Sequence, residues 1–330
     1  MTALPDHGGG LSNAVKRWPN FRGAWLDLST GINPWPYPIP SLPQDIWHRL
    51  PDQNLDVALR SAAAKHYGAL DSTNILATPG SGSFIRTFPL TLPPKTVAIL
   101  GPTYSEHAAS WAAAGHSIRQ VATLEQTENA DVVIVVNPNN PDGRVLTPET
   151  LVNFAQSNPS RLLVVDQAFC DLSPNLSIIS TRPENCVVLA SFGKVFGLAG
   201  LRLGLAFGSL QVLAPVSTRL GPWPVSGPAL FIGEQALRDQ EWIAETRLKL
   251  SAQTQKLDHI LRSRGLEIAG GTLLFRLVRH KNAHALWNLL GQNGILTRAF
   301  SYDTTWLRIG MPMDEPALNR LADCLANRSP

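Results

Sequence analysis

Ser191-Phe192-Gly193-Lys194-Val195-Phe196-Gly197-Leu198-Ala199-Gly200-Leu201-Arg202-Leu203-Gly204 follows residues 186–190, an apolar run of buried-strand length. Lys194 and Arg202 are the only charged residues in this stretch, and Gly193, Gly197, Gly200 and Gly204 separate or flank them. Solvated surface lysines seldom keep such apolar company. A desolvated lysine is an amine nucleophile suited to imine chemistry, and an arginine suits a dianionic phosphate. The plainer alternative is a tight turn carrying two solvated side chains.

Working outward, residues 74–77, 96–100, 117–122, 131–136 and 161–165 read as short strands, and 55–67, 105–114 and 148–156 as helices. Their alternation predicts an α/β fold with a mostly parallel central sheet flanked by helices. Residues 228–264 have helical spacing, strands are expected around 272–278, 295–298 and 305–309, and a closing helix at 315–324. These form a smaller C-terminal α+β domain. Pro34, Pro36, Pro38 and Pro40 forbid helix and central strand, so residues 1–40 are expected to be an extended arm and pocket wall. The large domain would then cover 41–225 and the small one 226–330.

Ligands of open α/β sheets bind beyond the carboxyl ends of the strands, so residues that follow apolar runs are candidates. Pro79-Gly80-Ser81-Gly82-Ser83 offers backbone N–H groups and hydroxyls to an anion. It lacks the Gly-Lys-Ser/Thr of a P-loop, and the chain has no Gly-x-Gly-x-x-Gly fingerprint. Asn137-Pro138-Asn139-Asn140-Pro141-Asp142-Gly143 follows the run at 131–136, and by itself reads as a turn. Asp166 ends another apolar strand, where a carboxylate needs a partner or serves as a helix cap.

Charged residues are 16% of the 330 and the net charge is +3, which excludes a disordered chain or a polybasic nucleic-acid binder. Cys170, Cys186 and Cys324 are too few and too scattered for a disulfide framework or a cysteine zinc site. No run approaches 18 apolar residues, and neither a membrane span nor an export signal is expected. A cytoplasmic enzyme without membrane or nucleic-acid partners is expected. His48, His66 and His116 have no ligand spacing and no metal is expected; His107 reads as a helix-surface or packing residue.

Taken together, these motifs resemble the pyridoxal-phosphate-dependent transferases of fold type I, the class I/II aminotransferases of aspartate-aminotransferase-like fold, in the subgroup of histidinol-phosphate aminotransferase. The resemblance follows family order over nearly the whole chain. It implies that Lys194 bonds covalently to pyridoxal 5'-phosphate, with Ser191 nearby. Arg202 would grip the cofactor phosphate with Gly80, Ser81, Gly82 and Ser83. Asp166 would pair with the pyridine nitrogen, Asn140 would bond to the 3-oxygen, and Tyr104 would stack on the ring. Arg308, in Trp306-Leu307-Arg308-Ile309-Gly310, would hold the substrate carboxylate.

Further likeness lies in His7-Gly8-Gly9, Asp27-Leu28-Ser29-Thr30-Gly31-Ile32-Asn33-Pro34 and Asp166-Gln167-Ala168-Phe169. It is similar to members that decarboxylate L-threonine O-3-phosphate to (R)-1-amino-2-propanol O-2-phosphate and carbon dioxide in cobalamin biosynthesis. His7 and Arg298 would then hold the substrate phosphate, with Asn33 near the substrate. An aminotransferase acting on histidinol phosphate or a related amino acid is the alternative. The family also implies a homodimer, and a cobalamin-pathway protein is a candidate partner. Phe169 stands where most aminotransferases have Tyr, Gln167 where Glu is frequent, and Gly193 where a hydroxyl often precedes the lysine. The segment Leu50-Pro51-Asp52 lacks a tyrosine that many relatives carry.

Overall fold

A computed structural model describes residues 7–326. The first six residues assigned to the arm, and the last four of the expected C-terminal domain, lie outside the described residues. The chain separates into two compact units. The first holds the described chain up to Trp35, Pro141–Gly143 and the chain from Ala244; the second holds Pro36–Asn140 and Arg144–Ile243.

The arm begins with α1 (Leu11–Arg17) and β1 (Leu26–Asp27). Its expected extended form therefore does not hold at 11–17, a segment without proline; the proline-dense residues 34–40 contain neither helix nor strand. In the second unit the order is α2 (Asp45–His48), α3 (Gln53–Tyr67), β2 (Ile75–Thr78), α4 (Ser81–Thr87), β3 (Thr96–Leu100), α5 (Ser105–Ala113), β4 (Ser117–Val121), β5 (Val132–Val136), α6 (Pro148–Ser157), β6 (Leu162–Asp166), β7 (Cys186–Ser191), β8 (Gly204–Phe207), α7 (Leu210–Leu220) and α8 (Gly227–Arg238). Local chemistry sets several of these boundaries. Asp52 accepts from Asn54 N at 2.8 Å to start α3, which Gly68 ends in the left-handed conformation.

Among the described residues the second unit contains a seven-stranded sheet ordered β2-β8-β7-β6-β5-β3-β4. Every residue of β5 is buried, as its unbroken Val-Val-Ile-Val-Val predicts for a strand covered on both faces. Neighbours from β7 to β4 pair in parallel, whereas β8 runs antiparallel to both β2 and β7. Sequence patterning did not mark β8. Its reversal places the residues just before Gly204 at the edge where its parallel neighbours end.

The stretch read as one helix is two, α8 and α9 (Gln240–Ser263). Asp239 separates them and accepts from Trp242 N at 3.0 Å, starting a new helix. The chain continues through β9 (Glu267–Thr272), β10 (Phe275–Arg279), α10 (Ala283–Gln292), β11 (Ile295–Leu296), β12 (Arg298–Ala299), β13 (Trp306–Gly310) and α11 (Glu315–Ala326). Strands β12-β13-β10-β9 form an antiparallel sheet, and β1 pairs in parallel with β11. That pairing is why the arm up to Trp35 groups with the C-terminal part of the chain.

Candidate active site

Asp166 is the last residue of β6 and is 3% exposed. A carboxylate withdrawn from water needs hydrogen-bond donors. Asp166 Oδ1 accepts from Ala168 N at 3.0 Å, and Oδ2 lies 3.0 Å from His107 Nε2. His107 is thus a buried partner of the candidate catalytic acid rather than a surface or packing residue alone. The available signal was its spacing, three residues beyond Tyr104, which caps the start of the same helix. The rings of Tyr104 and His107 meet edge to face at 6.1 Å. Burial, followed by the charges of Glu106 and Asp166, pushes the Tyr104 hydroxyl above the usual phenol range.

The antiparallel β8 brings Arg202 and the Gly80–Ser81 turn together, the two parts of the expected phosphate cup. Gly204 stands opposite Thr78 on one side and Ser191 on the other. A Cβ on Gly204 would drive into Ser81 N, so only glycine permits this approach. Gly80 has φ +80°, and a Cβ there would come within 2.8 Å of Arg202 Nη2. Arg202 itself adopts the left-handed conformation, with φ 56°.

A cavity of about 160 Å³ is lined by Gly80, Ser81, Gly82, Tyr104, Asn140, Asp166, Ser191, Lys194 and Arg202. Ser83 is not among its lining residues. As the third residue of α4, it turns its hydroxyl back to donate to Pro79 O at 2.8 Å. In the Asn-Pro turn, Asn137 holds Leu146 through both backbone groups, and Asn139 bonds to Thr103 and Pro102. These asparagines brace the turn while Asn140 reaches the cavity wall. Lys194 Nζ lies 5.4 Å from the centre of the Phe169 ring. Gln167 is buried, donating to Leu176 O at 3.0 Å and accepting from Ser177 Oγ at 3.2 Å. It ties down the following loop.

The remaining candidates, His7, Asn33, Arg298 and Arg308, belong to the first unit. Arg298 on β12 and Arg308 on β13 are directly opposed across the antiparallel pair. Arg308 is buried, donates from Nη2 to Ser29 O at 2.8 Å, and lies 5.2 Å from the Phe275 ring centre. Burial, followed by the charge of Arg298, lowers its guanidinium to about 10. Like charges placed opposite each other destabilise a sheet, and an anion between or beside them reverses that penalty. His7 and Arg298 line a cavity of about 270 Å³; Asn33 and Arg308 are not among its lining residues. Asn33 is buried, and its side-chain oxygen accepts from Trp35 N at 3.0 Å. No helix among the described residues is long and apolar enough to cross a membrane.

The family model for aminotransferase class I and II matches residues 40–325. The chain belongs to this family. It is 45% identical to a threonine-phosphate decarboxylase of Sinorhizobium sp, over 99% of both chains. It is 41% identical to a threonine-phosphate decarboxylase of Pseudomonas aeruginosa, over 96% of each. Its fold is similar to that of a histidinol-phosphate aminotransferase from Sinorhizobium meliloti, solved in complex with pyridoxal-5'-phosphate. There the TM-score is 0.83 at 22% identity, covering 96% of this chain and 93% of that one.

The cofactor of the family is pyridoxal 5'-phosphate, and the 160 Å³ cavity fits its chemistry. Glycine at 80 and 204 keeps the cup open beside the Arg202 guanidinium, as a phosphate requires. A buried carboxylate already supported by two hydrogen bonds suits a protonated ring nitrogen, and the Lys194 amine on the cavity wall suits an aldehyde.

Proposed function

We propose that this protein decarboxylates L-threonine O-3-phosphate to (R)-1-amino-2-propanol O-2-phosphate and carbon dioxide, using pyridoxal 5'-phosphate, as a step of cobalamin biosynthesis. The threonine-phosphate decarboxylases that resemble it over nearly its full length support the reaction. The observation that carries the substrate is the opposed pair Arg298 and Arg308. Two neighbouring cations, one of them buried, match a small molecule bearing both a carboxylate and a phosphate. An aminotransferase also binds a carboxylate, that of its 2-oxo acid acceptor, so carbon dioxide release without an acceptor is what separates the two reactions.

In this reading Lys194 anchors the cofactor, Arg202, Ser81 and the backbone at Gly80 and Gly82 hold its phosphate, and Tyr104, Asn140 and Ser191 complete the wall. The bound cofactor supplies an electron sink for the pair left at Cα when carbon dioxide departs. Asp166 holds the proton on the ring nitrogen, and His107 orients and supports Asp166. Arg308 binds the substrate carboxylate, His7 and Arg298 bind its phosphate, and Asn33 shapes the arm beside them. Two fixed ends restrict rotation about Cα, which selects the bond that breaks. With the cofactor bound, Lys194 Nζ or water would return a proton to Cα.

The protein works as a cytoplasmic homodimer in this proposal. Three free buried thiols suit a reducing compartment. Trp47 at 61% exposure, Leu50 at 65% and Trp223 at 55% supply apolar surface for a second copy. Mixing the cofactor-loaded protein with threonine phosphate, without a 2-oxo acid, should release carbon dioxide and the amine in equal amounts. Keto product that depends on an added 2-oxo acid would instead make the protein an aminotransferase.

A further inference from the structure

Phe169 lines the candidate active-site cavity, and Lys194 Nζ lies over its ring, 5.4 Å from the centre. A ring face at that distance favours the charged form of the nitrogen. Residues 167–173, which carry Phe169 away from β6, contain neither helix nor strand. Gln167 fixes the near end of this loop through its bonds to Leu176 O and Ser177 Oγ. Asp171, two residues beyond Phe169, fixes the far end. Tyr67, the last residue of α3, donates its hydroxyl to Asp171 Oδ1 at 2.7 Å. The Tyr67 ring is itself set edge to face against Phe207 at the end of β8, with 5.2 Å between centres.

Stability does not account for this pair. Asp171 is buried, and its Oδ2 has no hydrogen-bond partner among the described residues. Burial pushes its carboxyl up to about 7 and holds the Tyr67 hydroxyl well above the usual phenol range. A buried polar pair left partly unsatisfied contributes less than two apolar side chains of the same shape. What such a pair supplies is direction, because a hydroxyl–carboxyl bond has a narrow geometry whereas an apolar contact tolerates sliding.

We infer that Tyr67 and Asp171 are positioning residues, whose bond holds the loop after β6 so that the Phe169 ring faces the Lys194 nitrogen. The inference rests on Lys194 being the amine that takes the cofactor, and not on the identity of the substrate. Neither Tyr67 nor Asp171 is among the residues lining the cavity. Their effect reaches the nitrogen through the loop backbone and the Phe169 ring.

The test follows the absorbance of the bound cofactor against pH in the loaded protein, where the midpoint reports how strongly the nitrogen favours its charged form. Phe169→Leu should lower that midpoint by about half a pH unit. Tyr67→Phe and Asp171→Leu should each lower it similarly, and Asp171→Asn, which keeps an acceptor for the Tyr67 hydroxyl, should leave it at the wild-type value. Added to Phe169→Leu, Tyr67→Phe should bring no further shift. The double variant Tyr67→Phe/Asp171→Leu should keep the lowered midpoint without a lower melting temperature, an outcome that a merely structural pair would not give. A midpoint unmoved by Tyr67→Phe and Asp171→Leu overturns the inference, as does a shift that persists in full beside Phe169→Leu. So does a double variant whose midpoint falls only together with its melting temperature. Lys194→Ala separates the two readings. A titrating band that survives it removes Lys194 as the anchor and the inference with it, whereas a band lost there but unmoved by Tyr67→Phe removes the positioning pair alone.

Discussion

Replacing His107 with leucine probes the support beneath Asp166. Both side chains are buried, His107 at 1% exposure and Asp166 at 3%, and 3.0 Å separates Nε2 from Oδ2. Leucine fills the space but offers no polar atom, leaving the backbone N–H of Ala168 as the remaining support described above for the carboxylate. A hydrogen bond to a charged group contributes about 1.5–3 kcal/mol. A donor also favours the charged form of a carboxylate, so its loss shifts the shared proton from the ring nitrogen toward Asp166 and weakens the electron sink. If all of that energy acts on the chemical step, turnover falls roughly 10- to 150-fold. The assay is steady-state carbon dioxide release, paired with an absorbance titration of the bound cofactor against pH. The expected result is a lower kcat with KM nearly unchanged and a displaced titration, both partly restored by His107→Gln. A His107→Leu enzyme within twofold of wild-type kcat, with an unshifted titration, would refute the reasoning.

Three other outcomes are expected. Burial pushes the Asp171 carboxyl up to about 7, although Tyr67 donates to it at 2.7 Å. Because the folded state binds this proton more tightly than the unfolded chain, its stabilisation is complete below about pH 4. It is lost as pH rises through 7, a change on the order of 4 kcal/mol. Denaturant unfolding should show Asp171→Asn flattening this fall and gaining stability at pH 8; an unchanged pH profile would contradict it. Gly80→Ala combines a positive φ with a Cβ 2.8 Å from Arg202 Nη2. A cost of about 1–3 kcal/mol should appear as weaker cofactor binding in a fluorescence titration, and wild-type affinity would count against the cup. Arg308→Lys keeps the charge but loses the planar fork that also donates to Ser29 O. It should raise KM for threonine phosphate at least tenfold with cofactor absorbance intact, and an unaltered KM would unseat Arg308 as the carboxylate anchor.

Covalent pattern and short-range chemistry made much of this protein readable in one dimension. The apolar runs at 131–136, 161–165 and 186–190 read as buried strands from their length and β-branching, and the structure makes them β5, β6 and β7. Asp166, Lys194 and Arg202 stood out because charge in such surroundings needs a partner. Tertiary structure decided the rest, since each remaining feature depends on residues distant along the chain. Reversal of β8 carries Arg202 to Gly80 and sets Gly204 against Ser81 N, where a Cβ has no room. His107 acquires its role from a carboxylate 59 residues away. Ser83 is not among the residues lining the cavity, and its hydroxyl donates to Pro79 O. Arg298 and Arg308 become a pair only through a strand register that no local periodicity encodes. Hydrophobic patterning reports which residues leave water; which polar groups then meet is settled by the sheet order that folding brings together.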